Sequence, residues 1–393
     1  MDPADRHDQQ LLTSDYWESE KVDVRLNPLA PFDHEGLDEF LEGAEQLRGH
    51  VMFTTSGTSG EPKLVCLSRE ALLASADSVN AHIKATAEDR WLCALPDFHV
   101  GGFGVWARAW RAGGDARSYA GSWSADAFLA QCREFRATLV SLVPVQIFDL
   151  VRSNLRCPDG LRAVIVGGGA LSRQLGRAAR GLGWPVLQTY GMTEAASQVA
   201  TQSLDSLGKK FENTPLPAID GWEVRADGGG QIELRGPWLF SGYVERRDGR
   251  WCFENGRDSE GWFTTEDYGK LENEDGQILL TIVGRSGRTI KVLGELVNLN
   301  RIEDIVVEFA DEVGGLVALD AIEDERTGKR IILVVDREVS RKQIQDLVER
   351  VNERVAPFER IRGVARVEEI PRSPLGKVQR RKLAEMRDQV VTW

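Results

Sequence analysis

Histidine disappears from the chain after residue 99: His7, His34, His50, His82 and His99 are the only five in 393 residues. A mechanism that needs a histidine base from the second half is thereby excluded. Cysteine is scarce and unpaired. Cys66, Cys93, Cys132, Cys157 and Cys252 are odd in number and never form a Cys-x-x-Cys pair. That pattern fits free thiols in a reducing cytoplasm and argues against a zinc site. No apolar run approaches the length of a membrane span, and the acidic start Met1-Asp2-Pro3-Ala4-Asp5 does not read as a signal peptide. A cytoplasmic protein with no membrane partner is the expectation. Basic charge is also short. The formal net charge of −12 argues against a nucleic-acid partner. A polyanionic ligand must therefore be met by locally basic or N–H-lined sites. The sequence shows no repeats, no low-complexity tract and no convincing Ser/His or Cys/His pair.

What is present is enough apolar material, 42% of the residues, for one large domain and a smaller one. From about residue 50 to 200, apolar runs alternate with amphipathic stretches. Trp91–Pro96, Thr138–Leu142 and Leu161–Val166 read as buried strands, and 69–84, 124–136 and 144–153 as helices, with Ser68 as an N-cap. The alternation predicts an α/β sheet built from crossover units. From about 221 to 284, short strands separated by tight turns (Trp222–Arg225, Ile232–Arg235, Ile278–Val283) predict a β-rich subdomain. The remainder returns to an α+β pattern with a helix over 340–354. The expected division is a large domain over 1–284 and a small, mobile C-terminal domain over 285–393. The boundary falls at 285–288, where Ser286 and Gly287 allow a turn.

The most informative stretch is Thr54-Thr55-Ser56-Gly57-Thr58-Ser59-Gly60-Glu61-Pro62-Lys63, which follows the apolar run Val51-Met52-Phe53. Hydroxyls and unhindered N–H groups suit a polyphosphate, and the lysine adds a point charge. A plain flexible loop is the alternative. Pro62 and Leu64 stand where the usual phosphate loop carries Gly and Ser/Thr, so ATP binding is expected in a different fold. Further on, Gly167-Gly168-Gly169-Ala170 follows a predicted strand, where a flat ligand can approach the backbone or a tight turn can form. Gln188-Thr189-Tyr190-Gly191-Met192-Thr193-Glu194 offers an aromatic ring, a hydroxyl and a carboxylate to a nucleotide and magnesium.

These motifs resemble the adenylate-forming enzymes, a family that includes acyl-CoA synthetases, peptide-synthetase adenylation domains and luciferases. The resemblance spans about residues 50–385. It implies that Thr55, Ser56, Gly57, Thr58, Ser59, Gly60 and Lys63 hold the phosphates of ATP. Tyr190 then packs on adenine opposite Gly168, Gly169 and Ala170, Thr193 reaches the α-phosphate, and Glu194 binds Mg2+. Gly261-Trp262-Phe263-Thr264-Thr265-Glu266-Asp267 resembles the ribose motif, so Asp267, with Arg285, is expected at the ribose. Glu266 stands there in place of the usual glycine. Near the end, Pro371-Arg372-Ser373-Pro374-Leu375-Gly376-Lys377 looks like the family's lysine loop, which makes Lys377 the catalytic cation of acyl-adenylate formation. Lys291-Val292-Leu293-Gly294-Glu295 would enter the site in a second step, with Gly294 leaving room for the pantetheine of coenzyme A.

Two longer stretches, Leu95-Pro96-Asp97-Phe98-His99-Val100-Gly101-Gly102 and Tyr190 to Thr201, resemble a CoA-ligase branch of the family that acts on an aromatic acid. His99 and Ser197 are then candidates for the acid pocket. The first subdomain of the family is expected to be reduced here, because little sequence precedes the phosphate loop. The expectation is a two-step acyl-CoA ligase taking ATP, Mg2+, coenzyme A and a small carboxylic acid, with a homo-oligomer permitted. A CoA ligase for another aromatic or fatty acid, or a non-catalytic adenylate-binding protein, remains open at this point.

Overall fold

The computed structural model describes residues 8–28, 32–55, 63–285, 288–292, 295–310, 317–324, 327–336, 339–373, 378–386 and 391–392. The first elements are a short helix α1 (Ser14–Trp17), strand β1 (Asp23–Arg25), helix α2 (Leu37–Gly43) and strands β2 (His50–Thr55) and β3 (Lys63–Ser68). β2 and β3 pair antiparallel with Thr55 opposite Lys63, so the two ends of the phosphate-loop sequence lie side by side. Helix α3 (Arg69–Ile83) begins where the sequence predicts, with the Ser68 hydroxyl accepting from the Ala71 N–H at 3.0 Å.

The central sheet follows: β4 (Arg90–Cys93), α4 (Val100–Ala112), β5 (Asp115–Ser118), α5 (Ala125–Phe135), β6 (Leu139–Leu142), α6 (Pro144–Arg152), β7 (Ala163–Val166), α7 (Arg173–Gly181), β8 (Val186–Met192) and β9 (Ser197–Thr201). Its order is β5-β4-β6-β7-β8-β9, parallel from β5 through β8, with β9 antiparallel to β8. Both faces are covered. Trp91, Leu139, Ile165 and Leu187 pack with α3 and α4, while Leu92, Val140, Val164 and Val186 pack with α5, α6 and α7. Burial on two sides is why these strands read as unbroken apolar runs. Helix α4 is one that the sequence reading lacks, because Gly101, Gly102 and Gly104 argue against a helix. The glycines are there for close approach: a Cβ on Gly102 would sit 2.3 Å from the Pro96 carbonyl oxygen.

The predicted β-rich stretch is divided between two sheets. β10 (Leu216–Pro217), β11 (Glu223–Ala226), β12 (Gln231–Arg235), β15 (Phe263–Glu274) and β16 (Gln277–Arg285) form a sheet of order β10-β16-β15-β12-β11. The hairpin of β13 (Gly242–Arg247) and β14 (Arg250–Glu254) instead joins the first sheet, with Tyr243 opposite Val65 and Gly242 opposite Cys66. That excursion carries Tyr243 and Glu245 to the phosphate-loop lysine.

The C-terminal part comprises β17 (Thr289–Val292), β18 (Glu295–Asn298), α8 (Leu299–Ala310), β19 (Val317–Asp324), β20 (Gly328–Asp336), α9 (Arg341–Glu353), β21 (Gly363–Val367), α10 (Arg380–Met386) and β22 (Val391–Thr392). Its sheet runs β18-β17-β20-β21-β22, with β19 also on β20. Ile302, Leu333, Ile344 and Val364 belong to a core of its own. The predicted helix 340–354 is α9, started by a reciprocal cap between Ser340 and Gln343.

Candidate functional site

The β8–β9 hairpin is the keystone of the site. Its register shifts between Tyr190 and Gly191, and a Cβ on Gly191 would fall 1.6 Å from the Ser197 carbonyl oxygen. The turn that follows places Ala196 at φ 50° and Ser197 at φ 111°, a left-handed backbone that non-glycine residues seldom adopt. Thr193 and Glu194 occupy the short 3-10 turn between the strands. The Glu194 carbonyl accepts from the Phe240 N–H at 2.8 Å, and the Tyr243 hydroxyl donates to Glu194 Oε1 at 3.1 Å. Lys63 Nζ stands 5.2 Å from the Tyr243 ring centroid and 2.7 Å from Glu245 Oε2. Thus β3, β13 and the β8–β9 turn bring a cation, a phenol and a carboxylate together.

Electrostatics sort these groups. Burial raises the Glu194 carboxyl above its ordinary value, with the Tyr243 hydrogen bond opposing. Burial, then the Glu194 charge, lifts the Tyr243 hydroxyl, so it stays protonated and donates. Glu245 is the reverse case. Burial works to raise it, but hydrogen bonds from Lys63 and Arg247 prevail and hold it low. In this structure the Lys63 charge is therefore already countered, and a phosphate would have to draw it away from Glu245.

A second polar string lies beside the first. Tyr190 donates its hydroxyl to Asp267 Oδ2 at 2.8 Å, and the antiparallel register sets Asp267 opposite Arg285, with Nε 3.8 Å from Oδ1. Asp267 is buried, and its N–H donates to the Thr265 hydroxyl at 3.0 Å. Burial, reinforced by the Asp267 charge, raises the Tyr190 hydroxyl far above the ordinary tyrosine range. Glu266 resolves the departure noted in the sequence: it continues β15 and pairs with Arg285 at 3.0 Å instead of making a turn. Gly168, Gly169 and Ala170 are exposed at the carboxyl end of β7. Gly168 has φ 77°, and a Cβ there would meet Val143 at 3.1 Å, so the backbone is bare where a flat ring can lie.

His99 caps α4 through its backbone, and its ring lies tilted at 55° to Phe98 with 4.7 Å between ring centroids. One turn along α4, the Cβ position of Gly104 is 3.8 Å from the Ser197 Cβ and 3.1 Å from Arg108 Nη2. Arg108 was not anticipated from the sequence. It is 2% exposed, its Nε donates to the Gly104 carbonyl at 2.7 Å, and it lies 4.9 Å from the Trp91 ring centroid. No carboxylate pairs with it among the described residues, and its Nη1 has no hydrogen-bond partner there. An arginine in the middle of a largely apolar helix, Val100–Ala112, was the available signal.

Ser56, Gly57, Thr58, Ser59, Gly60, Gly294 and Lys377 lie outside the described residues, as does Gly287. Among the described residues no group of three or more His, Cys, Asp or Glu could hold a metal. A magnesium ion here would rest on Glu194 and take its other ligands from phosphate and water, as Mg2+ commonly does. Among the described residues no helix is long and apolar enough to cross a membrane.

A family model for AMP-binding enzymes matches residues 42–244. The 2-succinylbenzoate–CoA ligase of Enterococcus faecalis is 29% identical over 344 residues, covering 84% of this chain and 67% of that protein. The Bacillus subtilis ligase of the same name is 28% identical over 350 residues, covering 86% and 69%. Among solved structures, the B. subtilis o-succinylbenzoate CoA synthetase in complex with its acyl-adenylate intermediate superposes with a TM-score of 0.73 at 26% identity, covering 86% of this chain and 70% of that one. ATP-bound MatB from Rhodopseudomonas palustris gives 0.70 at 25%, covering 85% and 67%.

Proposed function

Because this chain belongs to the AMP-binding enzyme family, we propose that it is an AMP-forming acyl-CoA ligase that converts 2-succinylbenzoate to its CoA thioester, a step of menaquinone biosynthesis. The observation that carries the reading is the convergence of Lys63, Tyr243 and Glu194 beside Tyr190, Asp267 and Arg285. One string suits a magnesium-bound phosphate chain and the other a ribose. The exposed Gly168–Ala170 backbone suits adenine.

In the first step an oxygen of the acid attacks the α-phosphorus of ATP, and pyrophosphate leaves with the electrons of the broken P–O bond. In the second, the coenzyme A thiol gives up its proton and attacks the acyl carbon, and AMP leaves. Neither step needs a protein nucleophile. Alignment of reactants and preorganised charge supply the rate. Tyr243 holds Glu194 in place, Thr193 lies next to it for the α-phosphate, and the phosphate-loop sequence Ser56–Gly60 is assigned to the triphosphate. Lys377, on a small C-terminal domain starting near 285, serves the first step; the domain then turns to bring Gly294 in for the second.

Arg108 favours an acid with a second negative charge. A buried guanidinium without a carboxylate is costly to keep, and an anionic substituent near Ser197 and His99 would repay that cost. 2-Succinylbenzoate carries two carboxylates, one to activate and one to recognise. The test is AMP release and thioester formation with a panel of acids. Turnover with 2-succinylbenzoate well above benzoate and a fatty acid is expected. ATP binding with no AMP release from any acid would replace the ligase with an adenylate-binding protein.

A further inference from the structure

Glu245 divides its two oxygens between two cations. Lys63 Nζ lies 2.7 Å from Oε2, while Arg247 is paired with Oε1. Tyr243, Glu245 and Arg247 alternate along β13 and so share one face of that strand, the face on which Lys63 lies. The Glu245 side chain is 9% exposed and that of Lys63 27%, whereas Arg247 is 56% exposed and is also paired with Glu254. Two positive and two negative charges therefore balance around Glu245. Burial works to raise its carboxyl, and the hydrogen bonds from Lys63 and Arg247 are what keep it ionised.

A carboxylate this buried is costly to leave unpaired, so Lys63 as its sole partner would be hard to remove. Arg247 changes that balance. When a phosphate takes the lysine, Glu245 keeps its bond to Arg247 and stays both charged and paired. The lysine is thus held by a pair that can be broken, beside Tyr243 and Glu194, the string assigned to the phosphate chain.

We infer that Glu245 is a positioning residue that sets the affinity for ATP: it competes with the β- and γ-phosphates for Lys63, and Arg247 lets the lysine pass between them. The inference rests on the ligase reading, which gives the α-phosphate to Thr193 and leaves the outer phosphates to Lys63. Only a ligand with those outer phosphates draws the lysine away. AMP does not, and pyrophosphate returns Lys63 to Glu245 as it departs. The carboxylate weakens ATP binding, hastens the departure of pyrophosphate and is indifferent to AMP.

Calorimetry with Mg·ATP and with AMP, without the acid, reads this in Glu245→Gln, Arg247→Gln and the double variant. Removing the competitor, one side of a partly exposed ion pair, should tighten Mg·ATP by about 5-fold. Arg247→Gln leaves Glu245 to Lys63 and should weaken Mg·ATP by about 2- to 5-fold. AMP affinity should be unchanged in both. In the double variant the loss of Arg247 should add nothing, because the carboxylate it acts through is gone. Unchanged or weaker Mg·ATP binding in Glu245→Gln would overturn the competition. Equal shifts for ATP and AMP, or an Arg247→Gln effect that persists beside Glu245→Gln, would show a general field of charge and overturn it too. If Glu245→Gln fails to fold, Arg247→Gln decides by its ATP-against-AMP comparison. Lys63→Gln separates the two failures. Unchanged Mg·ATP affinity there takes down the reading of the site itself, whereas a loss there with no gain in Glu245→Gln takes down the competition alone.

Discussion

Replacing Arg108 by methionine separates a recognition role from a structural one. Burial pushes the guanidinium from its ordinary value down to about 10. At about 1.4 kcal/mol for each tenfold change in proton affinity, that is roughly 3 kcal/mol held against the folded state. The sign follows from the lowered value: at every pH below about 10 the group is charged when folded, so the whole cost applies at neutral pH. Against it stand the bond to the Gly104 carbonyl and the contact with Trp91, together worth about 2–3 kcal/mol. Methionine keeps the length and fills the same apolar space, so the two sums nearly cancel. Arg108→Met should unfold in urea within about 1 kcal/mol of the parent chain. Its effect should appear in binding instead. Losing a charge-assisted bond to a carboxylate costs about 1.5–3 kcal/mol, or roughly 10- to 150-fold in KM. That loss should fall on 2-succinylbenzoate and leave benzoate unchanged. Large destabilisation, or an equal loss for both acids, would refute the recognition role.

Three further expectations follow from the site. Glu194 must be ionised to hold magnesium, and its carboxyl is raised by burial; proton competition should thus weaken magnesium binding at a pH where an ordinary glutamate is still charged. Titrating the magnesium requirement of turnover between acidic and neutral pH checks this, and a requirement independent of pH would contradict it. Gly191→Ala should abolish nucleotide binding measured by calorimetry, because its Cβ would fall 1.6 Å from the Ser197 carbonyl and force the turn apart. Tyr190→Phe removes the donor to Asp267 and should raise the KM for ATP by roughly 5- to 100-fold, leaving the KM for the acid near its starting value.

The α/β core was legible because buried parallel strands carry a strong signature. Ala163–Val166 is apolar throughout and Leu139–Leu142 is apolar but for Ser141, and the Ser68, Ser124 and Ser340 caps mark helix starts. Two things were not. The β13–β14 hairpin pairs with β3 across nearly 180 residues of chain, a contact that no local pattern encodes, so Tyr243 and Glu245 were missed as neighbours of Glu194 and Lys63. Helix α4 was missed because its glycines, which lower helix propensity, serve packing against Pro96 and Ser197. With α4 went Arg108, whose meaning depends on burial rather than on sequence neighbours. The order of motifs pointed to candidate nucleotide residues, and the structure adds how Tyr190, Asp267, Glu194 and Tyr243 hold one another.

The most direct test is incorporation of labelled pyrophosphate into ATP in the absence of coenzyme A. If Lys63, Glu194, Tyr190 and Asp267 hold one ATP beside a bound acid, exchange should appear only when both 2-succinylbenzoate and Mg2+ are supplied. Nucleotide binding without exchange at any concentration of that acid, or exchange that proceeds with no acid at all, would contradict the account.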